Sequence, residues 1–180
     1  RWLNRIAQIF PQHLPARMRD WRDRYEHHLM LRMAAEDLAA MRTYLRQSFD
    51  DRDSDYFECS AEEADKAFLH RFAVAGAAVR YREVHRDRVE DIVALDIALP
   101  RNARVWTETL PPAIEAASIA KLYYGHFFCH VFHQDYVVRK GTDIHAFEAH
   151  LLQLLDERGA EYPAEHNVGH LYPAKPALAD

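Results

Sequence analysis

With 180 residues, 49% of them hydrophobic and 28% charged, the sequence carries enough apolar side chains for one folded domain with a real core. No apolar run approaches the roughly 18 residues of a membrane-crossing helix, and the opening Arg1-Trp2-Leu3-Asn4-Arg5 leads into no signal-peptide core. The net charge of −5 is uneven: residues 1–33 hold seven arginines against three acids, and the remainder is strongly acidic.

The chain opens on Arg rather than Met, as expected of a piece of a longer protein. Cys59 and Cys129 show no metal or redox spacing and read as two free buried thiols, in keeping with a reducing compartment.

Residues 1–25, rich in Arg and Trp and broken by Pro11 and Pro15, read as a poorly ordered or surface-lying lead-in. Residues 26–33 suit a strand. Leu38, Met41, Leu45 and Phe49 recur at intervals of three and four, which predicts a helix from Ala34 to Gln47. Tyr56–Cys59 is a short strand candidate. Ser60 with Glu63 is a capping box, opening a helix expected to carry Phe68, Leu69 and Phe72 inward towards the Ala-rich stretch near Gly76.

Val89 to Leu99 reads as a mostly buried strand ended by Pro100. Pro111-Pro112 opens a short helix. The aromatic and β-branched run from Leu122 to Val138 favours one long strand. Asp143 caps an amphipathic helix with Ile144, Phe147, Leu151, Leu154 and Leu155 on one side, closed by Gly159. The mixture predicts an α+β fold, an antiparallel sheet with helices packed on one face. There is no repeat, no GxGxxG and no nucleophile elbow.

Four constellations carry chemistry. The first is the histidine-bearing run from His126 through His130 to His133. Imidazoles there act as metal ligands or bases, or are hydrogen-bonded within a sheet. On one regular strand His126 and His130 share a face and His133 points away, so a single metal reaches 126 and 133 only if a turn or bulge intervenes. The second is Glu165-His166 in a loop, where a carboxylate orients an imidazole or ligates a metal, or where both are surface residues. The third is Arg71, whose guanidinium on a largely apolar helix calls for an anion, internal or from substrate. The fourth is the set Arg17, Arg19, Arg22 and Arg24 with Trp2, Trp21 and Tyr25, suited to an anionic membrane surface. Asp20, Asp23 and Glu26 interrupt that run and the rest of the chain is acidic, which argues against nucleic acid.

Three long segments, CSAEEADKAFLHRF (59–72), KLYYGHFFCHVFHQDYVV (121–138) and YPAEHNVGHLYPA (162–174), resemble the membrane-associated, FAD-dependent bacterial D-lactate dehydrogenases that feed quinone. The resemblance implies a basic membrane-binding segment over residues 1–25 and, over 26–180, the cap domain of FAD-linked oxidases. The FAD-binding domain would be absent from this chain, lying before Arg1, with a returning stretch after Asp180. It implies oxidation of D-lactate to pyruvate with electrons passed through FAD to quinone. The place of work would be the cytoplasmic face of the bacterial inner membrane, on an anionic surface.

In the wider group of 2-hydroxyglutarate and glycolate dehydrogenases, GHxGDGNxH and EHG motifs hold a divalent metal and a base. His126 and His133 match the first motif with the same separation, and Glu165 and His166 match the second. By that resemblance His126, His133 and Glu165 are metal ligands, His166 is the base and Arg71 grips the substrate carboxylate. The departures are Phe128-Cys129-His130 in place of GDG, Asn167 in place of Gly, and Ala94 where a substrate-contacting Lys stands in KYDxSLP. The alternatives are a non-catalytic peripheral membrane or interaction module, or a flavoenzyme for another D-2-hydroxy acid.

Overall fold

The computed structural model describes residue 6 and residues 9–10, 12–49, 52–126 and 131–164, residue 126 in its backbone alone. The chain divides into two compact units, Arg1–Ala75 and Gly76–Asp180.

The first unit is helical. Helix α1, Ala16–Arg24, follows Pro15 and ends with Arg22 and Arg24 in its last turn, where cations suit the helix dipole. Of the two expectations for the lead-in, poorly ordered or surface-lying, residues 16–24 fit the second, as a helix that buries none of its residues. Arg17 ties this helix to residues 57–63. Its Nε donates to Glu63 Oε1 at 3.1 Å, its second nitrogen donates to the Glu58 carbonyl at 2.9 Å, and its guanidinium lies 4.2 Å from the Phe57 ring centre.

Residues 27–34 form no strand, and the same holds for Tyr56–Cys59. Both predicted strands are therefore corrected: β-type residues form a strand only where a second backbone receives their hydrogen bonds. A 3-10 turn, Ala35–Asp37, leads into helix α2, Leu38–Ser48, where Leu38, Met41 and Leu45 of the expected stripe are half-buried while Phe49, just past its end, is exposed. Arg42 of α2 forks onto the Glu58 carboxylate, one contact at 2.7 Å.

Helix α3, Ala61–Ala75, starts on the expected capping box. The Glu63 backbone N–H donates to Ser60 Oγ at 3.3 Å, and the Ser60 N–H donates to the Glu63 carboxylate at 2.9 Å. Its apolar face is not inward as expected. Phe68, Leu69 and Phe72 are 37%, 57% and 66% exposed, and the small Ala67 is the buried residue. Cys59 is exposed, not buried; Cys129 lies outside the described residues.

The second unit is built on a three-stranded antiparallel sheet in the order β1-β3-β2, with β1 Val89–Ala98, β2 Ser118–His126 and β3 Val131–Arg139. The single long strand expected over 122–138 is thus two strands of an antiparallel pair, with His126 opposite Val131 and Tyr124 opposite His133. β1 runs antiparallel to the other side of β3, with Asp96 opposite His133 and Ile97 opposite Phe132.

One face of the sheet is the main core. Val93, Leu95, Ile97, Phe132 and Tyr136 pack there under Phe147, Leu151 and Leu155. Those three residues line one side of helix α6, Ile144–Glu157. Asp143 caps α6 by accepting from the Ala146 N–H at 3.1 Å, and Gly159 at φ 65° ends it in the left-handed region that glycine tolerates. Ile114 of helix α5, Pro112–Ala117, joins the same core.

The loop before α5 is held by a buried acid. Tyr123 and Tyr136 both donate to Glu108, at 2.6 and 2.8 Å, while Arg158 lies 3.8 Å from it and donates to the carbonyls of Val105 and Trp106. Helix α4, Ala77–Val84, covers one end of the opposite face through Ala78 and Tyr81 against Val89, Ile92 and Val137.

Candidate functional site

Strand pleating sends alternate residues to opposite faces, so the register fixes what each face offers. The face away from α6 carries Ile92, Ala94, Asp96 and Ala98 from β1 and Val131, His133, Asp135 and Val137 from β3. From β2 it carries Ala120, Leu122, Tyr124 and position 126. Its α4 end is apolar. Its other end carries Asp96, His133, Asp135 and Tyr124 on adjacent strands.

There the His133 Nδ1 and Asp96 Oδ1 are 2.5 Å apart, across directly opposed residues of β1 and β3. The pair is open, with side-chain exposures of 27% for His133 and 46% for Asp96. Asp135 is next on β3. Burial holds its carboxyl above the usual carboxylate range, the charge of Asp96 adds to this and His133 opposes it. Burial, with the Asp135 charge behind it, pushes the Tyr124 phenol up to about 12. The Tyr124 hydroxyl is buried with no hydrogen-bond partner among the described residues.

The antiparallel pairing corrects the expected facing of the histidines. With the chain reversed between β2 and β3, positions 126 and 133 belong to one face of the sheet rather than to opposite ones. His133 fits a metal ligand in one respect: metal-bound imidazoles commonly place their other ring nitrogen on a carboxylate, as His133 does on Asp96. Among the described residues no three His, Cys, Asp or Glu side chains converge as a metal-holding group. Glu165, His166 and His130 lie outside the described residues. The chain approaches Glu165 along the outer edge of β1: Ala98 and Glu161 exchange backbone hydrogen bonds at 2.8 Å, and the Ala164 N–H donates to the Asp96 carbonyl at 2.9 Å.

Arg71 stands on α3 in the first unit. It is exposed, its guanidinium 4.7 Å from the Phe72 ring centre, with no carboxylate partner among the described residues. The α1 arginines are largely neutralised within the unit: Arg17 by Glu63, Arg22 by Asp23 and, more loosely, Arg24 by Asp20 at 3.9 Å. No described helix is long and apolar enough to cross a membrane.

Sequence reasoning singled out neither Asp135 nor Tyr124, and met Asp96 only inside a family pattern. Their signal was present. Asp96 lies in the apolar stretch from Ile92 to Leu99, and Asp135 stands beside the apolar run Tyr136–Val138; acids in such strands need a reason beyond packing.

Comparison with known proteins covers the whole chain. It is 56% identical over 178 residues to the quinone-dependent D-lactate dehydrogenase of Escherichia coli, covering 99% of this chain and 31% of that protein. It is 54% identical over 179 residues to the Haemophilus influenzae protein of the same name, covering 99% of this chain and 32% of the relative. With the Corynebacterium glutamicum protein, also of that name, identity is 42% over 169 residues, 93% of this chain and 30% of the relative. The chain therefore spans about a third of the length of these relatives. The family model for "D-lactate dehydrogenase, membrane binding" matches residues 1–180, and the chain belongs to that family.

Proposed function

We propose that this chain is the membrane-attaching and substrate-facing part of a respiratory enzyme that oxidises D-lactate to pyruvate and delivers the electrons to quinone. The observation that carries this reading is the match along nearly the whole chain to proteins named quinone-dependent D-lactate dehydrogenases. The work is done at the cytoplasmic face of the bacterial inner membrane, held peripherally.

In this reading the residues that the family resemblance marks act on lactate. Arg71 pairs with its carboxylate through two parallel hydrogen bonds, the geometry guanidinium offers. His166 removes the hydroxyl proton as the hydride leaves the α-carbon. Glu165 orients His166 or, with His126 and His133, holds a divalent metal. FAD, bound mainly by the rest of the enzyme, supplies the hydride acceptor. Two features of the second unit support the grouping: positions 126 and 133 share one face, and Ala164, covalently joined to Glu165, is pinned to Asp96 beside His133.

Membrane attachment belongs to the first unit, whose exposed Phe68, Leu69 and Phe72 stand beside Arg71 on α3. That observation also favours a second reading, in which Arg71 serves a lipid surface rather than substrate. One set of variants in the full-length enzyme tests both. His166→Ala is expected to lower kcat for D-lactate about a hundredfold, the loss of a general base, and a near-normal kcat removes His166 from the mechanism. Arg71→Ala is expected to raise KM for D-lactate with vesicle binding intact. Unchanged kinetics with weakened binding to anionic vesicles moves Arg71 to the membrane.

A further inference from the structure

Helix α3 is docked within its unit by its polar side. Helical geometry puts Glu63, Lys66, Ala67 and His70 on one stripe. The chain entering α1 is seated along that stripe. Arg17 Nε donates to Glu63 at 3.1 Å, His13 Nε2 lies 3.0 Å from the Lys66 carbonyl, and the His13 ring stacks on His70 at 6.2 Å. Ala67, the buried residue of the helix, belongs to the same stripe. Phe68, Leu69 and Phe72 fall on the opposite side and are exposed. A helix that serves only its own core is turned the other way, apolar side in and polar side out.

We infer that Phe68, Leu69 and Phe72 form a wedge that enters the boundary between headgroups and acyl chains of an anionic bilayer, with Arg32 at its rim meeting lipid phosphate. This deepens the membrane attachment proposed for the first unit and rests on it.

Three observations favour lipid as the occupant. The Arg32 guanidinium lies 5.5 Å from the Phe68 ring centre and has no carboxylate partner among the described residues. A cation laid on an inserting ring can stay at the phosphate level while the ring sinks below it. Arg32 also directly follows Leu29, Met30 and Leu31, three more exposed apolar side chains. Apolar surface edged by an unpaired cation is the composition that suits a bilayer interface. The α1 arginines offer less: Arg17 and Arg22 are paired with Glu63 and Asp23 inside the unit. Attachment by charge alone would leave the outward face of α3 without a use, in a family described by membrane binding.

The test is vesicle binding by the full-length enzyme, on equal parts phosphatidylcholine and phosphatidylglycerol. It is run at low salt and at roughly 0.5 M salt, where screening within a few ångströms removes most of the attraction between charges. The enzyme is expected to stay bound at high salt. The triple variant Phe68→Ser, Leu69→Ser, Phe72→Ser is expected to bind about 100-fold more weakly, the loss of three apolar side chains from the interface.

A second measurement leaves the apolar face in place. In Phe72→Trp, the fluorescence added over the parent enzyme is expected to be quenched by vesicles whose phosphatidylcholine carries bromine on its acyl chains. Val105→Trp, at an exposed site of the second unit, is expected to escape quenching. Binding at low salt alone, or bound enzyme whose tryptophan at position 72 is no more quenched than the one at 105, overturns the wedge and leaves the attachment itself standing. An enzyme that ignores these vesicles at either salt removes the attachment reading and the wedge together.

Discussion

The two units of this chain reach order by different physics. In the second, one amphipathic helix closes over a sheet and buries Tyr136, Phe147, Ile97, Leu151 and Val138 almost completely. In the first, the well-buried apolar residues among those described are Leu14 and Ala67, while Phe10, Leu29, Met30, Leu31, Phe49, Leu69 and Phe72 face out. Its described contacts are instead a capping box, forked Arg–carboxylate pairs and an Arg stacked on Phe57. Exposed ion pairs contribute little each, about 0–1 kcal/mol. A unit held this way has apolar surface to spend on a partner, which is what a membrane-binding family requires.

The comparison breaks most easily at the largest side chains. Phe147→Ala is expected to destabilise the second unit by about 3–5 kcal/mol, because it deletes a buried ring and leaves a cavity. Phe72→Ala, the same chemical change on the exposed face of α3, is expected to stay within about 0.5 kcal/mol. Hydrogen exchange resolved by unit checks both, and a comparable loss for Phe72→Ala would mean that the first unit has an apolar core after all.

A smaller effect sharpens the contrast. Ser60→Ala is expected to cost the first unit about 1 kcal/mol through the lost cap of α3, with the second unit's exchange unchanged. The smallest is a pH effect confined to the first unit. His70 stacks with His13 at 6.2 Å, and burial with the neighbouring His13 lowers its pKa from the ordinary 6.5. The fold therefore favours the neutral ring: its stability is full above pH 6.5 and declines as pH falls through that value towards the folded pKa. Urea midpoints of the first unit are expected to drop on going from pH 7.5 to pH 5.5, roughly 1 unit either side of the histidine value. His70→Gln is expected to flatten that drop.

Much of the second unit was legible in the sequence. Val89 to Leu99 has the buried-strand pattern, and Asp143, the apolar spacing after it and Gly159 mark α6 from cap to end. Ser60 and Glu63 announced α3 in the same way. What failed is instructive. Residues 122–138 are rich in aromatic and apolar residues, with no Asn-Gly or Asp-Gly to mark a reversal, so two strands read as one and the facing of His133 was inverted. The spacing of Phe68, Leu69 and Phe72 shows that α3 has an apolar side, but periodicity does not say whether a core or an outside partner lies against it. In the candidate site, the histidine run stood out by its residue types. Asp96 gained meaning only when antiparallel pairing set it opposite His133.

The short segment after α6 has one more effect. By exchanging hydrogen bonds with Ala98 and donating from Ala164 to Asp96, residues 161–164 occupy backbone groups along the outer margin of β1. An uncovered margin of that kind invites a foreign strand to add itself and begin aggregation. The stretch that delivers the chain to Glu165 therefore also shields the sheet from unwanted self-association.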